Sequence, residues 1–254
     1  MCETCGRELH HPLAPSRRKF ILGAAAIGLA FVGAAEAKEK RKQKENEEEK
    51  KKKPPKPQNV LSPDAALERL REGNARYVRG LALRHDFRHE REALAGGQNP
   101  YAAILSCADS RIAPEYAFDS GRGDLFVCRV AGNFASDEMI ASLEYSVAVL
   151  NAPLILVLGH ESCGAVDAAI KSLKDNTTLP GQLPSLVAGV GPAVKAVLQQ
   201  GGDTLGSATR QNVIDTVSKL LTAGPILSAA VEQKKLKVVG GIYRLKDGRV
   251  DMVA

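Results

Sequence analysis

The chain predicts an α/β domain with a central, mostly parallel β-sheet flanked by helices. Three observations carry this expectation. The stretches "YAAILSC" (101–107), "DLFVCRV" (124–130) and "PLILVLG" (153–159) are short, near-continuous apolar runs bounded by Gly, Pro or charge, the pattern of strands covered on both faces. Segments of helical period alternate with them, as in layered α/β folds. The last stretch, "LKVVGGIYRLKDGRVDMV", reads as two strands around Asp247-Gly248, a hairpin turn signal.

Charge and composition separate the 254 residues into three parts: 1–37, 38–61 and 62–254. The formal net charge is +6, with ten basic and five acidic groups in 38–56, against 21 of each in 57–254. The folded part is therefore neutral and shows no cationic stripe for phosphates, so no nucleic acid is expected as a partner. Five scattered cysteines do not make a disulfide framework.

Residues 16–37, "SRRKFILGAAAIGLAFVGAAEA", are laid out as an export signal: Arg17, Arg18 and Lys19, an uncharged run, then Ala35-Glu36-Ala37 as a cleavage pattern. "SRRKFIL" resembles the twin-arginine signal, a route that carries folded proteins and suits one loaded with metal before export. The expected location is periplasmic, or membrane-anchored facing the periplasm if the signal stays uncleaved. Cys2, Cys5, His10 and His11 have zinc-like spacing, but a short leader has no core to orient four ligands. "KEKRKQKENEEEKKKKPPKP" (38–57) is nearly free of apolar residues and is expected to be a solvated tether, since it has little to bury against the entropy of ordering.

The domain opens with "SPDAALERLREGNARYVRG" (62–80). Ser62 and Pro63 are a cap and a favoured first residue, and Ala66, Leu67, Leu70 and Ala75 fall at helical spacing. His85 and His89 in "HDFRHER" are expected on an exposed polar helical face rather than as a metal pair. A helix over 136–151 has Ser136 as its cap and acids in its first turn. Further helices are expected in "CGAVDAAIKSL", "SLVAGVGPAVKAVLQQ", "SATRQNVIDTVSKLL" and "PILSAAVEQKK".

The chemistry-bearing residues stand at strand ends. Cys107, Asp109 and Arg111 follow the first apolar run, and His160 and Cys163 follow the third. Ligands gather at the carboxyl ends of strands in an open parallel sheet, so the two stretches can converge. Two thiolates and an imidazole suit zinc in tetrahedral geometry. If Asp109 takes the fourth position the site is closed. If water takes it the site is catalytic, because zinc brings the pKa of such a water to about 7. Arg111, two residues on, can engage the Asp109 carboxylate and draw it off the metal. A carboxylate so held can accept a hydrogen bond from that water and orient it. A structural zinc site would more often use paired C-x-x-C knuckles and has no use for an Asp–Arg pair. Cys107 and Cys163 form no C-x-x-C redox motif, and Cys128, in mid-strand, reads as a buried inert thiol.

At "CADSR", "GDLFVCRVAGN", "ASLEY", "GHESCGAV" and "VVGGIY" the chain resembles the β-class carbonic anhydrases, over about residues 62–254. The resemblance implies a parallel-sheet α/β fold, dimers or higher homo-oligomers, and reversible hydration of carbon dioxide to bicarbonate. By position it implies Cys107, His160 and Cys163 as zinc ligands, Asp109 and Arg111 as the catalytic dyad, and Gln98, Phe126 and Tyr145 as the lining of a substrate pocket at the dimer interface. Val130 stands where many members carry Asn. Ile104 stands where one subgroup carries a Trp used to bind regulatory bicarbonate, so no such regulation is expected. Two other readings keep the zinc: hydrolysis of carbonyl sulfide or carbon disulfide, and a non-catalytic protein tethered through its charged linker.

Overall fold

The structure, a computed structural model, describes residues 39–42, 44 and 61–254. The export signal, the Cys2/Cys5 cluster and most of the charged linker lie outside the described residues. Residues 39–42 and 44 are helical and exposed. The chain divides into two units, Met1–Lys52 and Lys53–Ala254, and every element that follows lies in the second.

Helix α1 (Pro63–Val78) begins as its sequence dictates: Ser62 Oγ accepts the Ala65 N–H at 3.2 Å and Pro63 occupies the first turn. Ala66, Leu67 and Leu70 are buried, but Ala75 is exposed. Asn74 turns inward instead. Its Nδ2 donates to the carbonyls of Ala117 and Gly248, and its Oδ1 accepts from Val250 N. A buried amide survives only when its hydrogen bonds are met, and these tie α1 to two distant segments. Helix α2 (Phe87–Leu94) follows, capped by Asp86. His85 lies before this helix rather than on its face. It pairs through Nδ1 with Glu90 Oε1 at 3.0 Å and stacks on Phe87.

The remaining elements are β1 (Ala102–Ser106), a short α3 (Pro114–Ala117) absent from the sequence expectation, β2 (Leu125–Arg129), α4 (Asp137–Ala148), β3 (Leu154–His160), α5 (Gly164–Lys174), α6 (Leu183–Val197), α7 (Thr204–Leu221), α8 (Ile226–Glu232), β4 (Lys237–Tyr243) and β5 (Val250–Met252). Ser136 sits at the N-cap of α4, but its hydroxyl donates to Glu138 Oε2 at 2.9 Å and makes no capping bond. The hydroxyl donates its hydrogen to that acidic side chain in the first turn, and its lone pairs receive no backbone N–H.

The sheet order is β2-β1-β3-β4-β5. The first four strands run parallel and β5 returns antiparallel beside β4, as the turn signal at Asp247-Gly248 requires. Helices cover both faces. On one, Leu67 and Leu70 of α1 and Phe118 meet Ile104, Leu156, Leu158 and Tyr243. On the other, Leu143 of α4, Val213 and Leu220 of α7 and Leu227 of α8 meet Leu105, Ile155, Val157 and Val238. Among the described residues no single helix is long and apolar enough to cross a membrane.

Helix α7 lies close on the sheet because two strand residues lack side chains. A Cβ on Gly240 would stand 2.6 Å from Val213 Cγ1, and one on Gly159 would stand 2.6 Å from Val213 Cγ2. Val213 cannot swing away, since a β-branched side chain in a helix has one favoured rotamer. We expect Gly240→Ala to lose about 1–3 kcal/mol, read as a lower urea midpoint at unchanged slope.

Candidate metal centre

The order β2-β1-β3 means that the chain leaves β1 to one side and returns for β3 on the other. Loops after β1 and β3 therefore diverge and open a crevice at their carboxyl ends, the place where open α/β sheets bind ligands. Cys107 directly follows β1, His160 is the last residue of β3, and Cys163 is the N-cap of α5. Between the last two, Ser162 takes φ +53, so the chain turns tightly enough to bring Cys163 back beside His160.

One donor atom from each of Cys107, His160 and Cys163 lies within 4.8 Å of the others. The two Sγ atoms are 3.9 Å apart. All three side chains are buried, with His160 and Cys163 fully so. The imidazole Nδ1 contacts the carbonyl of Glu161 at 2.8 Å. A carbonyl only accepts, so Nδ1 carries the hydrogen and Nε2 is left as a lone pair. That Nε2 is buried and has no partner. A bare, buried lone pair beside two thiols is costly unless a cation completes it, and a borderline-soft divalent ion such as zinc fits this donor set. The thiols behave as one unit: the hydrogen bond between them eases the first proton off, with Cys107 pulled down, and the same bond together with burial holds Cys163 up. A divalent cation supplies the charge that lets both ionise.

Asp109 is engaged by its neighbour. Arg111 Nε donates to Oδ1 at 2.9 Å and its terminal nitrogen donates to Oδ2 at 2.7 Å, while the Arg111 backbone N–H also reaches Oδ1. This fork holds the Asp109 carboxyl well below the usual carboxylate range. Oδ2 lies 3.9 Å from His160 Nε2. The carboxylate therefore faces the three donors while both of its oxygens are bound to the guanidinium. Among the described residues the donor cluster has three members, and Asp109 faces it.

Phe126 and Tyr145 come together, with ring centroids 6.2 Å apart, joining β2 to α4. Tyr145 is 47% exposed. Gln98 is exposed in the loop before β1. Ile104 is fully buried in β1, packed into the core. Cys128 is buried in β2, which pushes its thiol up and leaves it unreactive.

The sequence reading missed Arg129. Its Nε donates to the carbonyl of Cys107 at 3.0 Å, and one terminal nitrogen donates to the carbonyls of Asp109 and Ile112 at 2.7 and 2.9 Å. One guanidinium thus fixes the loop that carries both a donor thiol and the carboxylate. The contacts go to backbone oxygens, which leave no residue pattern. The one available signal is a charged residue closing the run "DLFVCR". Arg129→Met keeps the stem and removes the fork. We expect it to weaken turnover by about 10- to 100-fold, the usual effect of losing a supporting contact at a metal site, read as kcat at full zinc occupancy.

Residues 102–250 match the family profile described as Carbonic anhydrase. The chain is 41% identical over 190 residues to Carbonic anhydrase 2 of Mycobacterium tuberculosis, spanning 74% of this chain and 91% of that protein. It is 38% identical over 192 residues to the Carbonic anhydrase of Mycolicibacterium smegmatis, spanning 75% and 93%. Among solved structures it superposes on the Coccomyxa β-carbonic anhydrase in complex with acetazolamide with a TM-score of 0.56 at 29% identity, covering 64% of this chain and 75% of that one. The fold also matches that of a tetrameric β-carbonic anhydrase from Sordaria macrospora, TM-score 0.59 at 24% identity, covering 66% and 87%. The matched region holds the switch point, both halves of the Cys–His–Cys cluster and the Asp109–Arg111 pair, and the chain belongs to the β-class carbonic anhydrase family.

Proposed function

We propose that this chain catalyses the reversible hydration of carbon dioxide to bicarbonate and a proton, with Cys107, His160 and Cys163 holding zinc. The observation that carries the reading is the unpartnered Nε2 of His160 among two buried thiols, facing a carboxylate whose oxygens are already engaged by Arg111. Zinc, when bound, supplies the Lewis acidity that makes water a nucleophile near neutral pH. Asp109 Oδ2 accepts a hydrogen bond from the attacking water and turns its free lone pair toward the carbon of carbon dioxide. Arg111 keeps Asp109 ionised and off the metal. Phe126, Tyr145 and Gln98 line the approach in the assembled enzyme, with Tyr145 and Phe126 presenting an apolar face to a second copy of the chain. The assembly is a homodimer or a multiple of one, and the exposed ring of Tyr145 supports this. The arginine pair and small-residue cleavage pattern of residues 16–37 support export to the periplasm by the twin-arginine route. Sequencing the mature N-terminus from cell fractions checks this: a chain that keeps Met1 in the cytosol overturns it.

Stopped-flow carbon dioxide hydration tests the activity, with zinc content and sedimentation mass measured on the same sample. We expect fast turnover at about one zinc per chain and a mass of two or more copies, since a three-ligand site with a free position is the catalytic arrangement. Full zinc without hydration activity overturns the substrate and directs the next assay to carbonyl sulfide and carbon disulfide. A fully active monomer overturns the shared pocket.

A further inference from the structure

The Cys107 thiol receives a backbone hydrogen bond from the Gly132 N–H at 3.3 Å, and the Asp109 backbone also reaches it. Gly132 lies in the turn after β2 at φ +86. A Cβ there would stand 2.7 Å from Val190 Cγ1, so glycine is required twice over, by conformation and by space. Such a turn keeps one orientation only if its peptide groups are held. The Gly132 carbonyl is held by Nδ2 of Asn212, at 2.8 Å and 80 residues further along the chain.

Asn212 is on α7 and only 3% exposed. It reaches the turn because its neighbour Val213 seats α7 against Gly159 and Gly240, where no side chain intervenes. An amide buried this deeply needs its polar atoms met, and here its donor is spent on a residue that touches a donor sulfur of the metal centre. N–H groups directed at thiolates withdraw electron density from the sulfur, and outer contacts of this kind orient ligands and tune the metal.

We propose that Asn212 is a positioning residue of the metal centre: by fixing the Gly132 carbonyl it keeps the Gly132 N–H aimed at Cys107 Sγ, and so sets how Cys107 binds zinc. This rests on the reading of Cys107, His160 and Cys163 as the zinc ligands.

The test is Asn212→Leu, which keeps the volume and removes the donor. Zinc affinity is measured by competition with a chromophoric chelator, and the thiolate-to-metal charge-transfer band is recorded on cobalt-substituted protein. We expect zinc binding about 10- to 100-fold weaker and the band displaced to longer wavelength, because a thiolate relieved of its N–H donor is more electron-rich. Circular dichroism of the metal-free variant should match the unsubstituted protein. A folded variant with the original zinc affinity and cobalt spectrum makes Asn212 a plain core residue and overturns the proposal, whatever happens to its melting temperature. Should Asn212→Leu not fold, Asn212→Ala is read by the same two measurements with the same two outcomes. An unsubstituted chain that takes up no zinc sinks the metal-centre reading itself, a result distinct from equal affinity in both proteins.

Discussion

Cys163→Ala should emerge from purification without zinc and without hydration activity. The site offers three donors, and removing one leaves a pair that cannot enclose the ion. The loss in zinc affinity should exceed the about 100-fold that follows removal of a merely supporting contact. Without zinc, His160 Nε2 stays a buried lone pair with no hydrogen-bond partner, as in the metal-free parent. With zinc at roughly 1,000 times its dissociation constant, the holoenzyme gains about 4 kcal/mol by linkage, and the variant forfeits that share. Zinc determination, stopped-flow rates and thermal midpoints with and without added metal check this together. A variant that retains one zinc per chain and turns over would remove Cys163 from the ligand set.

Asp109→Asn should do the opposite on the first measurement and the same on the second: full zinc, little turnover. The carboxylate is bound to Arg111 through both oxygens and is not one of the three converging donors. An asparagine keeps the volume but can present an N–H where an acceptor is needed, and it breaks one arm of the fork. A drop of about 10²- to 10⁴-fold in kcat is the size expected for a lost acid–base partner. The pH dependence follows from the direction of the shift. Arg111 lowers the Asp109 pKa in the folded protein, so the ion pair is intact above the ordinary carboxylate range and is lost only as pH falls through the lowered value. The activity profile near neutrality should therefore owe nothing to Asp109. Zinc-replete Asp109→Asn with undiminished rates would end the dyad's role.

The strands and the site were legible in the sequence for the same reason. Strands covered on both faces must be apolar almost throughout, so β1 and β3, buried along their whole length, stand out as runs, and the polar residues that end them stand out by contrast. β2 reads as a similar run in the sequence but lies at the sheet edge and is only partly buried. Cys107, Asp109 and Arg111 sit within one turn of chain, as do His160 and Cys163, so local spacing carried the chemistry and topology had only to bring two loops together. What escaped was long-range and directed at backbone. Asn74, Arg129 and Asn212 all spend their polar atoms on carbonyls or N–H groups far away in sequence, and a backbone group has no letter of its own. The helical period placed Ala75 in the core, but the chain put Asn74 there to tie three segments together. Ser136 was recognisable as a cap position, yet where its hydroxyl went depended on Glu138 two residues later.

The strand order also has a kinetic consequence. During synthesis β1 and β2 emerge first and can pair, but the other edge of β1 waits for residues 154–160, and β3 then waits for β4 beyond residue 236. Parallel pairing over such distances is slow, and until it finishes the nascent chain carries open strand edges whose unpaired N–H and C=O groups are flanked by mostly apolar side chains. The interval before β3 docks is when self-association competes best with folding. The metal donors are assembled by that same docking step, so the rate of zinc uptake in refolding should follow β1–β3 closure rather than collapse of the chain.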